Sequence, residues 1–182
     1  MKKVLCSILL ISSFFSEASQ QTFSNVQLDN LKYAYEFGEQ FGKDGKFKDH
    51  KTRYDNNGLG YIMAAITWQE TSAGVNMPIK PGHEAHGMFQ NYLPTLRSRT
   101  RQIGWNMTDG ELIRMVSARN NSASWAYIEL SYWMNVHKGD IKKSVASYNA
   151  GFKWQKGSKY ANDVIAKANY LKTNNMLKAD AE

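Results

Sequence analysis

Tyr61-Ile62-Met63-Ala64-Ala65-Ile66-Thr67-Trp68-Gln69-Glu70 reads as an almost uncharged helical run that carries its only carboxylate at its last position. A carboxyl so placed lies against apolar neighbours, where loss of water disfavours the ionised form and raises the pKa. Such a group can hold a proton near neutral pH and hand it to a substrate. Many helices also end in a solvated Glu, so the residues around the run have to decide between the two.

Downstream come Thr71-Ser72-Ala73-Gly74, a loop punctuated by Pro78, Pro81 and Gly82, then Gly87-Met88-Phe89-Gln90, and much later Ser147-Tyr148-Asn149-Ala150-Gly151. In this order, over residues 57–171, the chain resembles the soluble-type lytic transglycosylases. That family is related to goose-type lysozyme and cleaves the glycan strands of peptidoglycan. Its acid Glu is followed by Ser, then by a Gly-Leu-Met-Gln segment, then by Ala-Tyr-Asn-Ala-Gly. Here Thr71 stands for the Ser and keeps a hydroxyl, Phe89 replaces Met before Gln90, and Ser147 replaces Ala before Tyr148. Gln90 follows Glu70 by 20 residues, a slightly longer loop than the family pattern, and the family's additional loop serine has no counterpart. These departures bear on the subsites rather than on the reaction.

The chain of 182 residues carries a formal net charge of +7, and its length suits one domain with a real core. Met1-Lys2-Lys3 and the apolar residues 4–15 form a positive and a hydrophobic region too short for an ordinary transmembrane helix. The small residues Ser16 and Ala18, at the usual recognition positions of Ser16-Glu17-Ala18, place cleavage after Ala18. The expectation is a signal peptide over 1–18, export to the periplasm or beyond, and a mature domain over 19–182. Cys6, the sole cysteine, lies inside the apolar run rather than at its end. That argues against a lipid anchor and leaves the mature chain without disulfides or a cysteine metal site. Removal of 1–18 takes away two lysines and one glutamate, leaving +6. A basic exported protein is drawn to nucleic acid, anionic lipid or anionic cell-wall polymer. Arg97, Arg99 and Arg101 form the densest basic cluster, which reads as a solvated helix face, so no nucleic-acid partner is expected.

Helical periodicity dominates the rest. Ser24-Asn25-Val26-Gln27 fits a capping box, with Leu28, Leu31, Tyr35, Phe37 and Phe41 at helical spacing before Gly42 and Gly45. Residues 43–57 read as a polar loop broken at Asn56-Asn57-Gly58. Pro94 opens a short helix that carries Leu96 and ends at Gly104. Thr108-Asp109-Gly110-Glu111 is a second capping box, ahead of Leu112, Ile113 and Val116. A longer helix is expected from Asn121-Ser122, with Ala126, Leu130, Trp133 and Met134 on one face and a stop at Gly139. Asp140 caps the next, with Ile141, Val145 and Tyr148 along one side, and Gly151 lets the chain reverse. The last helix starts at Ser158, carries Tyr160, Val164, Ala168 and Leu171, and ends near Asn174-Asn175 ahead of a loosely held tail. Alternating strand patterns are nearly absent, which makes the fold class mostly α.

The resemblance adds a single compact, lysozyme-like helical domain with an open glycan-binding groove. It implies that Glu70 is the catalytic acid and that Thr71, Met88, Gln90, Tyr148, Asn149 and Tyr160 bind substrate. In such enzymes the sugar's own N-acetyl group assists cleavage. Glu70 would protonate the bond between N-acetylmuramic acid and N-acetylglucosamine, then take a proton from the muramyl 6-hydroxyl. The product is a 1,6-anhydro sugar, formed without water, cofactor or metal. The Tyr148 hydroxyl can hold a carboxyl oxygen of the acid, and the Asn149 amide can donate and accept. Trp68, two residues before Glu70, reads as core. Glu84, 14 residues after Glu70, is the rival second carboxylate of a goose-type hydrolase. His83 and His86 lie three apart rather than the four a helical zinc motif needs. A non-catalytic secreted glycan-binding module is the other alternative. A monomer is expected, with peptidoglycan strands as partner, and bacterial wall remodelling, a secretion system and a phage assembly all stay open as its setting.

Overall fold

The Ser24 hydroxyl accepts from the Gln27 amide at 3.3 Å while the Gln27 side chain accepts from the Ser24 amide at 2.9 Å, which completes the expected capping box. Helix α1 (Asn25–Gln40) follows directly. The structure, a computed structural model, describes residues 21–40, 58–78 and 82–177. The expected signal segment with Cys6, the glycines Gly42 and Gly45, the polar loop 43–57, Pro81 and residues 178–182 lie outside the described residues.

The opening decapeptide forms most of α2 (Gly60–Thr71). Ile62, Met63, Ala64, Ala65, Ile66 and Thr67 are all buried, so α2 has no solvent face along its middle, as an uncharged helix requires. Helix α1 and the last helix, α7 (Ser158–Thr173), pack against it. Trp68 fits the core reading, set edge-on to Phe23 at 4.8 Å and to Tyr170 at 5.9 Å.

Between α2 and α7 the chain makes a two-residue antiparallel pair, β1 (Ala85–His86) and β2 (Asn91–Tyr92), with Ala85 opposite Tyr92. Then come α3 (Leu93–Gln102), with Pro94 in its first turn, and α4 (Asp109–Ser117), closed by the Thr108–Glu111 capping box. Helix α5 (Arg119–Val136) leads to α6 (Ile141–Ala150), where Asp140 accepts from the Lys143 amide. A 3-10 turn over Trp154–Gly157 joins α6 to α7. The protein is mostly helical, and no helix among the described residues is long and apolar enough to cross a membrane.

Two cores result. The larger gathers Leu31, Met63, Ile66, Phe89, Val145 and Val164 around α2; the smaller joins Leu93, Leu96, Leu112 and Val116 under α3 and α4. Helix α5 serves both, giving Leu130 and Met134 to the first and Trp125 and Ile128 to the second.

Three expectations change. Helix α5 begins at Arg119 rather than Asn121, and the Asn121 side-chain Nδ2, in the first turn of α5, donates to the Met115 carbonyl at the end of α4. Ile141 is exposed, leaving Val145 and Tyr148 to carry the inner side of α6. The segment after α7 is packed as far as Leu177, which is fully buried in the larger core.

Gly87 has φ +75, and a Cβ there would lie 2.2 Å from the Val116 carbonyl oxygen and 2.6 Å from Ser122 Oγ. We expect Gly87→Ala to cost roughly 2 kcal/mol or more through backbone strain and overpacking. Denaturant unfolding checks this, and unchanged stability would show that the loop does not seat on α4 and α5 as described.

Candidate active site

Helix α2 ends in a way that fixes its last side chains. Ser72 and Ala73 both adopt left-handed backbone, φ 50 and 58, which non-glycine residues hold only when the surroundings enforce it. The enforcement comes from three sides. The amides of Ser72 and Ala73 donate to the Trp68 and Thr67 carbonyls at 3.1 and 3.0 Å. From α1, Gln27 and Asn30 donate to the Ser72 and Ala73 carbonyls at 3.0 and 2.9 Å. Thr71 Oγ1 donates to the Met88 carbonyl at 2.8 Å and accepts from the Gly74 amide at 2.9 Å.

On the other side α7 holds the same turn. Lys167 Nζ donates to Gln69 Oε1 at 2.8 Å, and the Tyr160 hydroxyl donates to Glu70 Oε1 at 2.6 Å. Burial raises the Glu70 pKa above the ordinary carboxylate range, and the Tyr160 hydrogen bond opposes that rise without cancelling it. Burial together with the Glu70 charge pushes the Tyr160 phenol far up, so it stays protonated and remains a donor.

Glu70 opens into a cavity of about 550 Å³ whose wall includes Gln90, Tyr148 and Asn149. Gln90 is itself left-handed at φ 49. Its side chain is clamped, with Nε2 donating to the Gly87 carbonyl at 3.0 Å and Oε1 accepting from His83 Nε2 at 2.6 Å. Asn149 is exposed and its amide makes no protein hydrogen bond among the described residues. Gly151, with φ 59 and ψ −141, turns the chain out of α6 in a region open essentially to glycine alone.

Several sequence expectations meet corrections here. Tyr148 does not hold the acid: its hydroxyl donates to the Phe89 carbonyl at 2.9 Å and so anchors the residue before Gln90. The aromatic on Glu70 is Tyr160. Thr71 and Met88 do not face the cavity; Thr71 is almost wholly buried and spends its hydroxyl tying α2 to the loop, while Met88 packs in the larger core. Glu84 is exposed and accepts from the Tyr92 hydroxyl at 3.2 Å, whereas its neighbours His83 and Ala85 line the cavity. His83 is engaged with Gln90, and no group of three or more metal-binding side chains forms among the described residues.

Arg99 also leaves its expected solvated face. Its Nε and Nη2 donate to Glu129 Oε2 at 3.3 and 3.2 Å in the cavity wall, with side-chain exposures of only 21% and 18%. The Tyr132 ring lies 3.9 Å beneath the guanidinium. Burial raises the Glu129 pKa, opposed by the Arg99 charge and hydrogen bonds and by the Trp133 indole. That indole Nε1 lies close to the carboxylate without a well-aligned hydrogen bond. Glu129 is the second carboxylate of the cavity, and one sequence signal could have found it. It is the lone charge in Trp125-Ala126-Tyr127-Ile128-Glu129-Leu130-Ser131-Tyr132-Trp133-Met134, just as Glu70 is in its own run.

Fold and site thus define a mostly helical protein with a cavity into which a partly desolvated acid opens. A protein of Enterobacteria phage T4, described as an uncharacterized 20.7 kDa protein in the vs-regB intergenic region, is 61% identical over 177 residues, covering 97% of each chain. The chain belongs to the family of that phage protein. No protein-family model and no solved structure matches it.

Two predictions follow from the Glu70–Tyr160 pair. Because the folded-state pKa of Glu70 is raised, the folded protein binds that proton more tightly than the unfolded chain does. Stability therefore falls as pH rises from the ordinary carboxylate range through the folded pKa. Glu70→Gln removes this cost, so its thermal midpoint at neutral pH should exceed the parent's by roughly 2–4 °C for each kcal/mol removed. The two midpoints should converge below about pH 4, and calorimetry showing the parent more stable at neutral pH would refute the desolvated carboxyl. Tyr160→Phe removes a bond to the charged form and should raise the Glu70 pKa further. The alkaline limb of any reaction that needs protonated Glu70 then moves to higher pH, and a limb that stays or moves down would detach Tyr160 from the acid.

Proposed function

We propose that the protein is a peptidoglycan lytic transglycosylase with a lysozyme-like helical fold, acting on glycan strands outside the cytoplasm. The observation that carries this reading is Glu70 itself, a carboxyl with a raised pKa that opens into a cavity shared with Gln90, Tyr148 and Asn149 and is held by one phenolic hydroxyl. A partly buried carboxyl of this kind is suited to giving a proton and taking one back.

In the proposed reaction Glu70 gives its proton to the glycosidic oxygen between N-acetylmuramic acid and N-acetylglucosamine, and the C1–O bond breaks. The muramyl N-acetyl group supports the electron-poor C1. Glu70, now a carboxylate, takes the proton of the muramyl 6-hydroxyl as that oxygen bonds to C1, which closes the anhydro ring and restores the acid. Tyr160 keeps one carboxyl oxygen fixed through both transfers. Tyr148 acts at one remove, holding the Phe89 carbonyl so that Gln90 keeps its left-handed backbone and its place in the wall.

The carboxylate arrangement favours this mechanism over a hydrolase. A hydrolytic enzyme of the two-carboxylate kind needs a second carboxylate placed to take a proton from water. Glu84 is turned to Tyr92, and the Arg99 charge beside Glu129 favours its ionised form over taking that proton. The phage source of the 61% identical relative favours a phage setting over a secretion system.

Digestion of purified peptidoglycan in isotopically labelled water, read by mass spectrometry, tests the reading. Anhydro-muramyl termini one water lighter than hydrolytic ends, with no label, are expected. Glu70→Gln should lower the yield at least ~10²-fold, whereas Glu84→Gln should leave it near the parent. Labelled reducing ends together with an inactive Glu84→Gln would establish a lysozyme-type hydrolase instead.

A further inference from the structure

The cavity wall also carries features that have no hydrogen bond to Glu70. Burying an ion pair such as Arg99–Glu129 costs desolvation on both partners, and it contributes little to stability unless the geometry is very good. Here both guanidinium donors converge on a single oxygen, Glu129 Oε2. Apart from the Trp133 indole, which lies close without a well-aligned hydrogen bond, Glu129 meets no further donor among the described residues, and the carboxylate lines the cavity. The wall therefore presents a carboxyl oriented by Arg99 with acceptor capacity to spare.

Beside it, Trp133 lines the cavity and lies close to Glu129. Phe152 stands edge-on to Trp133, ring centroids 5.0 Å apart at 80°, immediately after the wall residue Gly151. It is 75% exposed, the most exposed large apolar side chain among the described residues. An aromatic ring propped against a second ring at a groove rim, with its own face in water, offers a flat apolar surface next to a hydrogen-bond acceptor. That combination matches an N-acetyl hexosamine, whose ring has an apolar C–H face and whose acetamido N–H and hydroxyls are donors.

Resting on the glycan reading of the groove, we propose that Phe152, Trp133 and Glu129 form a sugar subsite on the wall of the cavity into which Glu70 opens. Phe152 covers the C–H face of an N-acetyl hexosamine unit, and Glu129 Oε1, held by Arg99, accepts from its acetamido N–H or a hydroxyl. The subsite selects for strand length rather than for the chemistry of cleavage.

The test uses the full chain with Glu70→Gln, so that ligand survives, and titrates N-acetylglucosamine oligomers from the disaccharide to the hexasaccharide by calorimetry. In this background affinity should rise with length. Adding Phe152→Ala should remove the gain from the longer oligomers, a loss of about tenfold for the hexasaccharide, with an unchanged thermal midpoint because the ring is exposed. Adding Glu129→Gln should cause a loss of similar size. If that variant unfolds, the Phe152→Ala result decides alone. A full gain with length in Phe152→Ala overturns the subsite and leaves the glycan reading standing. Failure of every oligomer to bind in the Glu70→Gln background overturns both.

Discussion

The hydrogen bond from the Tyr160 hydroxyl to Glu70 Oε1 joins the two helices on which the site depends. Burial of α2 drives the Glu70 carboxyl toward its neutral form, and the phenol draws it part of the way back. Neither effect alone would give a group useful in both directions. A fully solvated Glu is ionised at neutral pH and gives no proton, whereas a buried acid with no donor beside it surrenders its proton poorly.

The rest of the fold keeps that pair in place. The left-handed Ser72 and Ala73 would relax if α1 did not satisfy their carbonyls through Gln27 and Asn30. The Thr71 hydroxyl couples the same turn to the Met88 carbonyl, and one residue further on Tyr148 holds the Phe89 carbonyl. The loop that presents Gln90 is thus anchored to α2 at one residue and to α6 at the next. The hydroxyls of Thr71 and Tyr148 brace the loop, while Glu70, Gln90 and Asn149 line the cavity together with the Tyr148 ring.

Much of the scaffold was legible in the sequence. Both capping boxes, the Asp140 cap, Pro94 in the first turn of α3 and the extent of α7 are local devices, and local devices can be read from neighbouring residues. The helical class followed from periodicity. Partnership within the site was not legible. Tyr148 and Tyr160 are both aromatics near the acid, and only the packing of α6 and α7 against α2 determines which hydroxyl reaches Glu70. Arg99 read as surface because arginines on either side of it suggest a solvated face, while its partner Glu129 is 30 residues away on α5. A lone charge inside an apolar helix is the shared mark of Glu70 and Glu129, and it was decisive for the first only because a motif followed it.

Site-resolved titration of the Glu70 carboxyl by carbon-detected NMR, in the parent chain with Glu70→Gln as the assignment control, tests the central claim most directly. The account predicts a midpoint above the ordinary carboxylate range that rises again in Tyr160→Phe, because desolvation sets the first shift and the phenol opposes it. A Glu70 midpoint at or below the value of an exposed glutamate would contradict the account and leave the groove without its acid.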